Sequence, residues 1–322
     1  MKKLMISMLA MAAMVSCTNE IENPDQPKVN ENEPVAITFG SSIVGIQTKA
    51  VTESSTQFEN DDKIKVYGYK GESSITGYLN SEFMKAVEFS YNTTTNFTAT
   101  DQSAVWERGA THHFFAVYPS TLTITEATSS AAPSISITTT DNTGIADDIM
   151  YAQITGDNAI KYDGTAKTGA LAFSHKLAKI KLVIKTTDAN VKANLSKIVY
   201  TVANSEATLD IVSGTISNAT TAKAVSFTKD LTSSTQELST TDYTPEGFSP
   251  MILPTNTVSS IVLTINGSDF KLESGNLTDV TISAGNVTTI TLTVGATGVG
   301  FTSSITAWDT TTNANGTGSI TQ

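Results

Sequence analysis

The run from Leu171 to Ile184, LAFSHKLAKIKLVI, constrains the fold more than any other stretch, because it alternates like a β-strand and then changes phase. Leu171, Phe173 and Leu177 share one parity, while Ile180, Leu182 and Ile184 share the other, with Lys179, Lys181 and Lys185 facing away from them. Successive strand side chains point to opposite faces, so a slip of one residue turns the next apolar set over. One flat strand cannot do this without a bulge or a crossing. The run lies near the middle of a 322-residue chain, and each flank is about one ordinary domain long. Two units are therefore expected, over residues 35–172 and 173–322.

Those units should be built from sheets. Thr, Ser and Val fill the sequence, and after residue 17 no helical periodicity is sustained. A hydrophobic fraction of 39% with 16% charged residues suits a folded chain. The net charge of −11 argues against a phosphate-backbone partner, so no nucleic-acid role is expected.

The one cysteine excludes a disulfide framework and a cysteine-based zinc site. Cys17 ends a segment made of Lys2 and Lys3, a run from Leu4 to Val15 that is apolar apart from Ser7, and Ser16. That run is too short to span a bilayer and has the layout of a secretory signal, residues 1–16. Met14-Val15-Ser16-Cys17 resembles a bacterial lipobox, which implies acylation of Cys17; an ordinary secreted protein is the other reading. Residues 17–34 are acidic and punctuated by proline, a flexible linker.

Val35, Ile37 and Phe39 alternate as a first strand, and Val44 and Ile46 follow in the other phase after Gly40-Ser41-Ser42. Further strand signals include Ile64 to Tyr69, two runs around Tyr91-Asn92-Thr93-Thr94, and the apolar run from His112 to Tyr118 that Pro119 stops. Pro133 to Ile137 and Asp148 to Ala152 precede the central run. Beyond it come about nine more short strands, with Asn266-Gly267 as a two-residue hairpin turn and Phe301 to Trp308 as the last strand. Residues 309–322 form a low-complexity tail. Short strands at this spacing predict an all-β chain of two tandem β-sandwiches.

No motif for nucleophilic, metal or phosphate chemistry is present, and no cofactor is implied. His112 and His113 point to opposite faces of a strand and cannot easily hold one metal ion, and His175 reads as a packed residue rather than a base. The adjacent carboxylates Asp61-Asp62 and Asp147-Asp148 read as turn residues, and no enzyme is expected.

Taken together, Cys17, Phe58 through Tyr69, His113 to Pro119, Asp148 to Ala152, Leu171 to Leu177, Pro250 to Pro254 and Ile305 to Trp308 form an ordered set. In this set the chain resembles the fimbrillin family, the type V pilin-like lipoproteins of Bacteroidales. The resemblance implies two transthyretin-like sandwiches and polymerisation by protease-mediated strand exchange with other fimbrial subunits. The lipid would hold the precursor at the outer membrane before the subunit joins a fimbrium at the cell surface. The removable strand would be Val35 to Lys49, with Val35, Ile37 and Phe39 as its apolar face and the cut between Lys49 and Ala50. Phe301, Ile305 and Trp308 mark the candidate donor strand, unless they simply complete the second sandwich. The competing function is a surface lipoprotein that binds a glycan or host protein, for which Trp106, Tyr91 and Tyr243 would need to be exposed.

Overall fold

The computed structural model describes residues 34–43, 58–71, 75, 78–79, 81–101, 103–165, 167–221, 223–277, 280–307 and 310–319, with side chains described as far as residue 305. Cys17, Lys49, Ala50 and Trp308 lie outside the described residues, as do Val44 and Ile46. The chain is nearly all β. Among the described residues only two three-residue 3-10 segments, Gly156–Asn158 and Ser274–Asn276, are helical.

The first group of strands closes on itself. Lys63–Lys70 pairs with Glu82–Asn92, which pairs in turn with Asn96–Ala99, then Thr38–Ile43, Thr168–His175, Met150–Ile154 and Thr111–Tyr118, and the last returns to Lys63–Lys70. The ring encloses an aromatic core that includes Phe39, Phe89, Phe97, Phe114 and Phe173. The uninterrupted apolar run at Thr111–Tyr118 is explained by burial on both faces. Its His112, Phe114 and Ala116 face the ring interior, whereas Phe115 and Val117 join a second layer with Tyr67, Tyr69, Ile149 and Leu177.

The chain changes sheet inside the central run. Thr168–His175 belongs to the ring and Ala178–Thr186 to a separate sheet, where it runs parallel to Asn286–Val294. Lys176 and Leu177 make the step, with Lys176 N–H donating to Ile149 C=O and Gly285 N–H to Leu177 C=O, both at 2.8 Å. The phase slip is therefore a crossing: Leu171 and Phe173 face the ring's core, Leu177 joins the second layer, and Ile180, Leu182 and Ile184 face a core of their own. Ile180, Leu182 and Ile184 meet Tyr200, Phe227 and Leu263 from the sheet of Val225–Asp230, Ala193–Val202, Val258–Ile265 and Ser268–Glu273. The last two strands form the expected hairpin, with Asn266 and Gly267 both at positive φ. From Pro34 onward the chain clusters as one compact unit, and Ser134–Thr138 pairs with Glu206–Asp210 across the 172–173 step.

The first strand runs through Gly40-Ser41-Ser42 to Ile43, whose partner Phe173 faces the core; the expected change of phase at Val44 and Ile46 lies outside the described residues. Within the low-complexity tail, residues 310–319 form a strand, antiparallel to Val299–Ala307. A Thr- and Gly-rich segment carries no period of its own, but the bare edge of a neighbouring strand supplies its hydrogen bonds.

Candidate assembly interface

The first strand occupies an interior position although it comes from near the start of the chain. Thr38–Ile43 lies parallel to residues 168–173 over six residues on one side. On the other side Thr38 and Phe39 pair with Thr98 and Phe97. Pairing then extends upstream: Ile37 N–H donates to Ala104 C=O and Trp106 N–H to Val35 C=O, each at 2.9 Å. The strand is thus bonded along one edge from Thr38 to Ile43 and along the other from Val35 to Phe39, and removing it would leave backbone groups on both sides without partners.

The side chains explain why the position is filled. Ile37 is 1% exposed and Phe39 is fully buried, while Val35 is half-buried against the same core. The Phe39 ring lies 5.1 Å from that of Phe89 and 4.9 Å, edge to face, from that of Phe114. Gly169, its register partner, makes the room: a Cβ there would stand 2.8 Å from the Phe39 ring and 2.9 Å from Ile154. The slot is cut for an aromatic residue. Burying Ile37 and Phe39 contributes roughly 3–6 kcal/mol at about 1.5–3 kcal/mol each, with half-buried Val35 adding less, a sizeable share of the ~5–15 kcal/mol stability of a whole domain.

Phe58, where the described chain resumes, is anchored independently of the first strand's backbone pairing. Its ring meets those of Phe97, Phe173 and Tyr118 at 5.1, 5.1 and 5.5 Å.

At the other end of the chain, Phe301 is buried in the second core opposite Leu292, and Ile305 is half-buried two residues beyond buried Ser303. Phe301 and Ile305 thus share the parity expected of them. The strand Thr310–Ser319 pairs with Val299–Ala307 alone among the described residues. The structure therefore keeps the first strand and the candidate donor strand in separate sheets, each bonded within its own.

Several residues weighed as chemical candidates are structural. His113 bonds Thr155 Oγ1 at 2.8 Å and Gly71 C=O at 3.1 Å, while His112 packs against Trp106 on the opposite face. Burial holds His112 below its ordinary pKa, with Nδ1 3.2 Å from the Ile160 carbonyl and Nε2 accepting the Glu107 N–H. His175 Nδ1 stands 2.7 Å from Asp148 Oδ2, with both side chains buried. Asp148 is thus more than the turn residue its neighbour Asp147 suggests, a pairing that sequence distance conceals. Trp106 is 5% exposed, and Tyr91 and Tyr243 pack against the two cores, so none offers an open aromatic platform for a sugar. Among the described residues no group of three His, Cys, Asp or Glu side chains could hold a metal ion, and no helix is long and apolar enough to cross a membrane.

A family model described as fimbrillin-like matches residues 48–308. Among solved structures, the chain is similar to a candidate cell adhesion protein from Bacteroides uniformis, with 19% identity, a TM-score of 0.53, and coverage of 85% of this chain and 99% of that one. A second such protein, from Bacteroides ovatus, gives 16% identity, a TM-score of 0.52, and coverage of 90% and 99%. These likenesses support the β fold. No curated protein sequence matches the chain.

Proposed function

Because the chain belongs to the fimbrillin-like family, we propose that it is a fimbrial subunit or tip adhesin that polymerises by exchange of its first strand. The reading includes an outer-membrane lipoprotein precursor, acylated at Cys17 after removal of residues 1–16 and tethered by residues 17–34. Two sandwiches, divided at 172–173, would follow.

One observation carries the reading. An interior strand, bonded on both edges and filling an aromatic slot, is joined to the rest of its ring only through residues 44–57. A cut between Lys49 and Ala50 would detach it while Phe58 onward stays anchored. The opened slot then has unpaired backbone on two sides and an apolar floor, which a strand from a second subunit satisfies by the same ladder. The incoming strand must bring large apolar side chains. Thr310–Ser319 has none larger than Ala314, so the donor is the segment carrying Phe301, Ile305 and Trp308, released from its own core with the last strand following.

Trypsin treatment of the purified mature protein tests this. Cleavage after Lys49 should yield SDS-resistant ladders, and Lys49→Ala should abolish them. A protein that is fully cut there and still runs as a monomer would overturn the proposal.

A further inference from the structure

The first strand and the strand Val299–Ala307 carry the same short sequence. Phe39-Gly40-Ser41-Ser42-Ile43 and Phe301-Thr302-Ser303-Ser304-Ile305 differ at one residue of five. Of the chain's 12 phenylalanines only these two are followed by one residue and then Ser-Ser-Ile, so abundant serine alone does not produce the match. Upstream, Ile37 stands two residues before one phenylalanine and Val299 two residues before the other.

The two segments also bury the same face. Ile37 and Phe39 are buried in the ring, Val299 and Phe301 in the second core, and Ile43 and Ile305 are both half-buried. Two cores with different surroundings are thus filled by one inward pattern, which sequence distance and separate sheets conceal.

The slot in the ring accepts the second segment position by position. Phe301 at the place of Phe39 enters the room that Gly169 leaves. Val299 at the place of Ile37 is smaller by one carbon and meets no obstruction. The single mismatch falls where there is space: a Cβ at Gly40 would stand 4.0 Å from Gly169 C=O, an ordinary contact, so Thr302 is tolerated there. Residues 297–305 contain no proline, so Val299 N–H and Thr297 C=O are available to Ala104 C=O and Trp106 N–H, as Ile37 and Val35 supply them in the intact chain. Gly300 forgoes only the exposed 3.3 Å contact between the Thr38 and Thr168 hydroxyls.

We infer that the first strand is a stand-in for residues 297–305 of a second copy of this chain, which enter the slot parallel to Thr168–His175 with Phe301 at the place of Phe39. Strand exchange, on which this assignment rests, thereby gains a partner, a direction and a register. The subunit is self-complementary, and the apolar burial that residues 297–305 give up in their own core is regained in the ring of the next copy.

Cysteine pairs read the register. Ser42 is the partner of Ala172 across the parallel pair, and both are exposed, so the assignment puts Ser304 of the second copy beside Ala172. Two forms of the mature protein, both Cys17→Ser, carry Ser304→Cys and Ala172→Cys respectively. Each is cut with trypsin, and the two are mixed and oxidised, the linked peptides being identified by mass spectrometry. A disulfide between positions 304 and 172 of different copies is expected in the ladder bands. With Thr168→Cys in place of Ala172→Cys the yield should fall by at least about tenfold, because four residues of strand, about 13 Å, exceed disulfide reach. The uncut double variant Ser42→Cys with Ala172→Cys calibrates the geometry, since those residues already pair. Ladders in which position 304 links to 168 as readily as to 172, or to neither while the calibrating pair closes, would overturn the register and leave strand exchange standing. A mixture that is fully cut and forms no ladders would bring down both.

Discussion

The ring at the start of the chain and the sheets at its end treat their edges in opposite ways. In the ring every principal strand has a partner on both sides, and the pairing returns to its origin. The later sheets stop at open strands, and these differ from one another. Ser268–Glu273 displays Asp269, Lys271 and Glu273 along its length, whereas Thr310–Ser319 contains no charge at all. Charges on an edge discourage pairing with another chain. The ring therefore leaves no principal strand without a partner, whereas the edges of the later sheets include a guarded one at Ser268–Glu273 and an unguarded one at Thr310–Ser319.

The sharpest way to break this contrast is to damage the closed ring through its first strand. Phe39→Ala should lower unfolding stability by about 3–5 kcal/mol, as for other buried aromatic truncations, measured by urea denaturation. A loss below about 1 kcal/mol would mean that the first strand stands outside the cooperative core. Filling the slot from the opposite wall should do less harm: Gly169→Val is expected to cost about 1–3 kcal/mol by overpacking against Phe39. It should also slow strand exchange, because an incoming strand meets the same obstruction.

The two open edges are separated by reversing their guards. Thr312→Lys should change stability by no more than about 0.5 kcal/mol yet reduce self-association in light scattering, while replacing Asp269, Lys271 and Glu273 by threonine should increase it. Equal behaviour of the two edges would dissolve the distinction.

The smallest effect concerns pH. His112 is held neutral by burial, below its ordinary value of 6.5. Its contribution to stability is complete above that value. As the pH falls below 6.5 the unfolded chain takes up the proton first, so stability declines until the folded-state pKa is passed. Thermal melts from pH 7.5 to 5 should therefore show a falling midpoint, with a shallower fall in His112→Gln.

Much of the β architecture was legible as local alternation. Val35, Ile37 and Phe39 read as one buried face, Asn266-Gly267 as a hairpin, and the run from Leu171 to Ile184 as holding a bulge or a crossing, because each depends on neighbours a few residues away. The candidate interface was legible to the same depth: its apolar residues could be named, but the slot that receives them could not. Gly169 makes room for Phe39 across a separation of 130 residues, and no local pattern marks that. Asp148 and His175 were likewise read apart, as a turn residue and a packed histidine, since nothing in either neighbourhood points to the other.

The sequence by itself therefore determined which residues alternate, where the phase changes, and that sheets rather than helices bury the apolar faces. Tertiary structure alone decided that the first seven-strand path closes, that residues 310–319 become a strand, and that Gly169 stands opposite Phe39. The physical reason is common to all three. Side-chain period is a property of adjacent residues, whereas a strand's partner is chosen by long-range hydrogen bonding and burial, whose free energy depends on the whole arrangement.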